Sequence, residues 1–370
     1  MNTETNLRGS DHPIRKTVTA RKHAVRATLI ALLLLVSYTK IRSTAAQDAL
    51  AGEWIIETKP GTDYVHLTIQ RGGNGSHFHS TSSFDIRQEN LKGLSQSLVQ
   101  GEGSPVQFQI TRDAGALNCE GWFKRGKGAG HFTFTPNQGF AREMSSLGYG
   151  NLTDEKLFSM ASLDINLAFV RDLGALGYDR LSLDDLFAMR IHGAGPQFIN
   201  EMKAIGYDRV PVDDLVAMRI HGVTPDYVKE VKALGYESPA IDQLVAMRIH
   251  GVSTEFIKGL RDYGYNRPPI DDLVAMRIHG VKTDFIKELR EMGYDRLSID
   301  DLVAMRIHGV STEFIKEIKA LGYDRVSADE LVAMRIHGVN AAFIEKMKAR
   351  GFNDLSIEKL IELKIHGFDK

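Results

Sequence analysis

The chain has 370 residues, of which 43% are hydrophobic and 25% charged, with a formal net charge of −1 and one cysteine. This composition is typical of a folded, soluble protein, and the length allows two or three domains. The lone Cys119 excludes an intramolecular disulfide. Residues 1–46 carry eight Lys/Arg against two Asp/Glu, whereas residues 151–370 carry 29 against 35. This gradient indicates targeting at the N-terminus and argues against a nucleic-acid groove.

Residues 1–46 have the pattern of a signal peptide or an N-terminal membrane anchor. Basic residues precede the apolar run Ala27–Val36, and small residues at 44–46 form a cleavage point before Gln47. The run is about half of the roughly 20 residues that a spanning helix needs, but Lys40 and Arg42 behind it do not suit a cleaved signal. Both alternatives remain open, the anchor acting through residues 24–41. Either one predicts an extracytoplasmic protein, periplasmic or secreted.

Residues 47–140 alternate between apolar and polar side chains. Val65, Leu67 and Ile69 are one such run, and further runs at 106–110, 117–123 and 132–134 are separated by glycine-rich breaks. Period-two patterning of this kind predicts antiparallel strands with one face in water. Five to seven strands in about 90 residues indicate a small antiparallel β-sandwich or barrel.

Residues 141–370 contain about eight copies of a 29-residue repeat, the first atypical and the last truncated. The best-defined copy reads SIDDLVAMRIHGVSTEFIKEIKALGY from Ser298 to Tyr323. A fixed period of this size predicts stacked structural units. The chain is therefore expected to be α+β multidomain, with the β-domain followed by an α-solenoid-like array of helical hairpins.

The residue pattern of each repeat predicts two helices of about ten residues that are joined by tight turns. Ser298 is a good N-cap, acidic residues follow in the first turn, and Gly309 can take the left-handed conformation that ends the helix. Ser311 then caps a second helix that Gly322 ends. Tyr323 is expected to pack as an apolar contact on the end of its own unit.

The repeated histidines and glycines are predicted to be structural. Each histidine is expected to hydrogen-bond the last carbonyls of its helix, and equivalent histidines on helices 8–10 Å apart cannot share one metal ion. These positions are His192, His221, His250, His279, His308, His337, His366, Gly193, Gly222, Gly251, Gly280, Gly309, Gly338 and Gly367. The repeated arginines, such as Arg306, and aspartate pairs, such as Asp300 and Asp301, are expected to form ion pairs between repeats.

The sequence contains no recognisable catalytic motif. His77 and His79 could place two imidazoles on one strand face, but without a third ligand they are weak metal candidates. The glycine-rich segment at 126–130 lacks the phosphate-loop pattern and precedes a strand, which indicates a hairpin turn. No enzyme activity, cofactor or metal is therefore predicted.

Three motifs carry a family resemblance: RDAG at 112–115, CEGWF at 119–123 and GAGHFTFTPN at 128–137. With the LVAMRIHGV repeats, residues 50–370 resemble the extracytoplasmic tail of bacterial membrane zinc peptidases of the beta-lactam-sensor antirepressor type. The chain lacks the zinc motif and the multi-helix membrane region of those sensors, so no catalytic residue carries over. The resemblance implies a bacterial, extracytoplasmic accessory or sensory module.

These features favour a non-enzymatic, exported interaction or scaffold protein whose repeat surface binds another envelope protein. Nucleic-acid binding is one alternative, because helix–Gly–Val–helix units loosely resemble helix-hairpin-helix motifs. The acidic surplus and the export signal oppose it, so no nucleic-acid partner is expected. The other alternative is an enzyme or a carbohydrate-binding activity in the β-domain. The sequence does not indicate an oligomeric state.

Overall fold

The computed structural model describes residues 50–59, 61–72 and 79–368. Within them, a curled antiparallel sheet of seven strands precedes a repeated array of sixteen helices. The predicted combination of a β-domain and a helical repeat array is thus confirmed. Residues 1–46, with the predicted signal or anchor and its segment 24–41, lie outside the described residues. No helix in the described ranges is both long and apolar enough to cross a membrane.

The sheet is open and curled, and its first and last strands lie side by side at the centre. Strands β1 and β7 are neighbours, and the order across the sheet is β3-β2-β1-β7-β6-β5-β4. The described strands are β1 Ala51–Thr58, β2 Tyr64–Gly72, β3 His79–Arg87, β4 Leu91–Lys92, β5 Glu102–Arg112, β6 Gly115–Lys124 and β7 Lys127–Pro136. A short helix, α1 (Gln96–Val99), lies between β4 and β5. The strands form one curled sheet instead of two packed layers, so the open-barrel alternative describes this domain best.

One face of the sheet forms the core of the domain because its apolar side chains alternate with polar ones. Trp54 is fully buried, with its ring centroid 5.0 Å from that of Phe108 and 5.7 Å from that of Phe123. The Trp54 indole N–H donates to the carbonyl oxygens of Glu120 and His131, at 3.2 and 3.1 Å. The indole lies where a Cβ on Gly121 would be, so this glycine is required for the close approach.

Each repeat forms two short helices, which we call A and B. The A helices are α3 Asp154–Ser162, α5 Leu183–His192, α7 Val212–Ile220, α9 Ile241–Ile249, α11 Ile270–Ile278, α13 Ile299–Ile307, α15 Ala328–Ile336 and α17 Ile357–Ile365. The B helices are α2 Gln138–Ser146, α4 Leu167–Ala175, α6 Pro196–Ala204, α8 Pro225–Ala233, α10 Thr254–Asp262, α12 Thr283–Glu291, α14 Thr312–Ala320 and α16 Ala341–Ala349. Helices of nine or ten residues are marginal alone, so their stability comes from packing between units.

The two kinds of helix form two layers. From α5 to α17 each A helix contacts the next A helix, and each B helix contacts the next B helix. The core between the layers is continuous with the core of the sheet. At the junction the Phe158 ring stacks on Phe132 at 5.7 Å, and Arg112 forms an ion pair with Asp164 at 3.0 Å. The array therefore docks directly on the sheet.

Candidate interaction surface

Helix capping and the positions of the buried residues determine which side chains of each A helix point outward. In α13 the Ser298 hydroxyl accepts from the Asp301 amide at 3.0 Å, and the Asp301 carboxylate accepts from the Ser298 amide at 2.9 Å. This reciprocal cap starts the helix so that Leu302 and Met305 are buried. Asp300 and Ile307, seven residues apart, then both point away from the core.

A row of exposed acids runs along the N-terminal ends of these helices. Its members are Asp184, Asp213, Asp242, Asp271, Asp300, Asp329 and Glu358, and we call them the acid row. All seven are exposed, and in the described part of the chain no ion pair involves them. First-turn carboxylates interact favourably with the helix dipole, but seven unpaired acids on one side also create a strongly negative strip.

A row of exposed isoleucines runs along the C-terminal ends of the same helices. Its members are Ile191, Ile220, Ile249, Ile278, Ile307, Ile336 and Ile365, and they are 52–60% exposed. They are seven of the thirteen large hydrophobic side chains that are exposed among the described residues. Single exposed aliphatic residues are ordinary on protein surfaces, whereas a contiguous apolar patch marks an interaction site.

The two rows border one continuous surface, which we call the A face. Between them each A helix places a half-buried apolar residue and, in most units, an alanine; in α13 these are Val303 and Ala304. Seven residues of helix separate the two rows by about 10 Å. Neighbouring helices pack about 8–10 Å apart, so seven units give a face on the order of 50 Å long.

Contacts between units hold the A helices parallel and in register. The Arg219 Nε donates to the carbonyl oxygen of His192, the C-terminal residue of the preceding A helix, at 3.2 Å. The same guanidinium lies 5.1 Å from the ring centroid of Phe198 in the preceding unit. Equivalent pairs, each 21 residues apart, are Arg190–Phe169, Arg248–Tyr227, Arg277–Phe256, Arg306–Phe285, Arg335–Phe314 and Lys364–Phe343. This cation–π ladder aligns the isoleucines of successive units.

A second ladder joins each unit to the next through tyrosine. The Tyr323 hydroxyl donates to the Leu355 carbonyl at 2.9 Å, and five earlier tyrosines donate across the same 32-residue separation. They are Tyr178, Tyr207, Tyr236, Tyr265 and Tyr294. Burial raises the pKa of all six phenols, so they remain protonated donors. Tyr323 packs against the core, as its predicted apolar role requires, but the hydrogen bond from its hydroxyl to the next unit was not predicted.

The repeat histidines are exposed beside the isoleucine row. No hydrogen bond of the described residues involves their imidazoles, so the predicted bonds to the last helix carbonyls do not form. The His192 carbonyl is instead occupied by an arginine of the next unit. The glycine that follows each of these seven histidines has a φ between 70 and 75°, the left-handed conformation that ends the A helix.

The prediction of repeated Arg–Asp pairs between units is wrong for most of the array. Among the described residues only one of the repeat arginines, Arg190, forms an ion pair, with Asp164 at 3.1 Å. The others lie over aromatic rings, and where a serine precedes the helix the second aspartate of a pair caps its own helix, as Asp185 and Asp301 do. Asp164 is itself exceptional, because it takes the left-handed position that glycine occupies in later units, with φ of 55°.

The outward face of the sheet presents a second exposed surface. Trp122 is 62% exposed, and its cross-strand neighbours in the same row are Ala129 and then Ile55. The adjacent row consists of Glu53, His131, Glu120 and Gln107, all exposed. These residues line an open depression of about 910 Å³. In the CEGWF motif Trp122 alternates out of phase with the buried Cys119 and Phe123, and this phase was the signal that could have identified the surface.

The described residues contain neither an ionised cysteine nor a cluster of metal-ligating side chains. Burial raises the pKa of the Cys119 thiol to about 12, which leaves it un-ionised and unreactive near neutral pH. No group of three or more metal-ligating side chains occurs in the described ranges. The weak candidate His77 lies outside those ranges, and of His79 only its position at the start of β3 is described.

Comparison with known proteins gives no further assignment. No family model, curated protein or solved structure matches the chain.

Proposed function

We propose that this protein is a non-enzymatic, exported scaffold or sensory accessory protein that binds a partner protein through the A face. The observation that carries the proposal is the row of seven isoleucines, each about half exposed, from Ile191 to Ile365. Core packing does not require these side chains to be apolar, because each A helix already buries a leucine and a methionine or leucine. Repetition of the same exposed residue over seven units is expected of a binding surface.

The extracytoplasmic location is part of the proposal. It rests on the basic residues before Ala27–Val36 and on the small residues at 44–46. The resemblance of residues 50–370 to the tail of antirepressor-type sensors supports the same location and an accessory role. Under this proposal the partner is another envelope protein.

The proposal is tested by capturing partners with the full chain and with two matched variants. The first variant replaces Ile249, Ile278 and Ile307 with serine; the second replaces the exposed B-helix residues Lys258, Lys287 and Lys316 with serine. Partners cross-linked in the envelope fraction and identified by mass spectrometry should be lost from the isoleucine variant and kept by the lysine variant. Circular dichroism must show both variants folded. An unchanged partner set for the isoleucine variant would refute the A face as the binding surface.

The backbone amides of the turns and the charge of the A face both argue against the nucleic-acid alternative. The Val310 amide in the His-Gly-Val turn donates to the Met305 carbonyl at 2.8 Å, and Gly309 donates to Arg306 at 3.3 Å. Backbone amides that already close the helix end are not available to hold a phosphate. The acid row would in addition repel a polyanion.

Neutral-glycan binding by the sheet is a second candidate function, carried by the exposed Trp122. An exposed indole offers an apolar face for stacking, and the neighbouring Gln107, His131 and Glu120 offer hydrogen-bonding groups for hydroxyls. Glu53 and Glu120 disfavour acidic ligands.

Because the chain has two tryptophans and Trp54 is fully buried, Trp122 can be followed by fluorescence. Neutral oligosaccharides derived from bacterial cell wall, chitin and cellulose should reduce quenching of Trp122 by acrylamide. The effect should weaken in Gln107→Ala, which removes a hydrogen-bonding group and keeps Trp122, and should persist in the distant surface variant Ile307→Ala. If no oligosaccharide protects Trp122, the glycan proposal fails and the scaffold proposal is unaffected.

A further inference from the structure

The A face combines two chemical properties in fixed positions. The seven members of the acid row are exposed at one edge, and the seven members of the isoleucine row are exposed at the other. The half-buried valines between them, such as Val303, continue the apolar strip toward the acids. A ligand lying along the array therefore meets carboxylates on one side and aliphatic side chains on the other.

Charge complementarity limits what can cover this surface. A basic residue is nearly absent from the positions that form the A face; in α17 Lys359 stands beside the acid row, and it is paired with Glu362 at 2.7 Å. The repeat arginines lie at the C-terminal ends of the A helices, away from the acid row, and their guanidinium groups pack over rings of the preceding unit, as Arg306 does at 5.1 Å from Phe285.

Three other occupants fit poorly for the same reason. A second copy of the chain would bring a second acid row, and its repeat arginines are already packed over aromatic rings; like charges across an interface are unfavourable. The anionic surface of a membrane and the phosphates of a nucleic acid would be repelled by the same acids. The occupant that satisfies both rows is a polypeptide with basic and aliphatic side chains.

We propose that the A face binds a basic amphipathic segment of a partner protein, with Lys or Arg directed to the acid row and aliphatic residues to the isoleucine row. This inference rests on the proposed scaffold function and specifies its partner. Each unit supplies one carboxylate and one isoleucine per roughly 8–10 Å of the array. Longer segments therefore engage more units, and affinity rises with segment length.

The test measures binding of three synthetic peptides of equal length to the purified full chain. One peptide is composed of Lys and Leu, one of Glu and Leu, and one of Lys and Ser. The Lys–Leu peptide should bind, with affinity that falls as salt is raised; the Glu–Leu peptide should not bind, because it brings like charge to the acid row. The Lys–Ser peptide should bind at least tenfold more weakly than the Lys–Leu peptide, because it buries no aliphatic surface.

Two chain variants with the same change in charge separate the acid row from general electrostatics. Asp271→Asn, Asp300→Asn and Asp329→Asn together should weaken Lys–Leu binding about tenfold, the loss expected for three exposed ion pairs. Glu291→Gln, Glu317→Gln and Glu345→Gln remove three exposed acids from B helices and should leave the affinity within about twofold.

The outcomes distinguish this inference from the scaffold proposal. Equal binding of the Lys–Leu and Glu–Leu peptides, an equal loss in both sets of variants, or no peptide binding at all would overturn the basic-partner inference. The scaffold proposal would survive those results if the isoleucine variant still loses its envelope partners. If that variant keeps all its partners, the scaffold proposal fails whatever the peptides do.

Discussion

At the scale of single residues, the contacts between units are made by side chains that the repeat places at fixed separations. An arginine reaches back 21 residues to an aromatic ring, as Arg306 does to Phe285, and a tyrosine reaches forward 32 residues to a carbonyl, as Tyr294 does to Val326 at 2.8 Å. Both contacts involve the preceding or following unit, so they stabilise the stack and add little to an isolated hairpin.

Removal of one arginine should weaken the stack by a small, measurable amount. Arg306→Ala should lower the free energy of unfolding by about 0.5–1 kcal/mol, the usual contribution of a cation–π pair near the surface. Arg306→Lys should recover part of this, because Lys364 occupies the equivalent position over Phe343. Urea unfolding monitored by circular dichroism measures the difference. The exposed B-helix change Lys287→Ala is the control, and an equal loss in both alanine variants would contradict the ladder.

The tyrosine ladder should make stability depend on alkaline pH. Burial raises the pKa of Tyr207, Tyr236 and Tyr265 above the usual value of 10.0. Unfolded tyrosine therefore loses its proton at lower pH than folded tyrosine, so the stabilisation is fully present below about pH 10 and is lost as pH rises above it. Melting temperatures measured from pH 8 to 11.5 should fall at the alkaline end, and replacing these three tyrosines by phenylalanine should make that fall shallower. Parallel curves for the two proteins would refute the prediction.

At the scale of the helix, each A helix is terminated by a glycine whose conformation a side chain would disturb. Gly309 has φ of 70°, and a Cβ there would lie 3.3 Å from the Arg335 guanidinium of the next unit. The left-handed backbone and the close arginine both oppose substitution. The end of the helix and the contact between units are therefore coupled at one residue.

Two glycine-to-alanine changes should have opposite effects on stability. Gly309→Ala should lower the free energy of unfolding by about 1–2 kcal/mol, because an L-residue in the left-handed region is strained. Gly174→Ala should raise it by about 0.5–1 kcal/mol, because this glycine lies in helix α4 and its added Cβ would meet only Asp179 at 3.9 Å. Chemical unfolding of the two variants side by side is the measurement. A stabilising Gly309→Ala would show that the turn does not depend on the left-handed residue.

At the scale of the whole molecule, the array is one-dimensional, because contacts join neighbouring A helices and neighbouring B helices. The sheet acts as the first neighbour of the stack, with Phe158 packed on Phe132 and Phe134. The free energy of unfolding is then expected to be close to the sum of the contributions of the individual units and of the interfaces between neighbouring units. The length of the A face, and with it the affinity for a long partner, should scale with the number of units.

Removal of one whole unit should leave a folded, shorter array. Deleting residues 270–298 joins Pro269 to Ile299 and preserves the order of A and B helices. The variant should unfold cooperatively with a smaller denaturant dependence, because less surface is exposed on unfolding. Deleting residues 270–284 removes about half a unit, breaks the alternation of helices, and should destabilise the protein far more. Equal stability of the two deletions would contradict the stacked arrangement.

The helices and strands could be predicted from the amino-acid sequence, because the signals that start and end them are local. Ser298, Gly309, Ser311 and Gly322 mark the starts and ends of two helices, and alternation in residues 47–140 predicts strands. The sequence also contained the isoleucine before each histidine, whose helical phase lies opposite Leu302 and Met305. The exposed isoleucine therefore repeats at the same 29-residue spacing as the histidine that follows it.

The contacts of the repeated side chains could not be predicted from the sequence, because they depend on how the units pack. Arg306 could pair with an acid or with a ring, and Tyr323 could contact its own unit or the next, because charge and polarity permit both. The choice depends on the distance and angle between successive units, which arise from packing across the whole core. The same packing turns separate acids and isoleucines into two continuous rows, and a row on a surface exists only when the units are stacked.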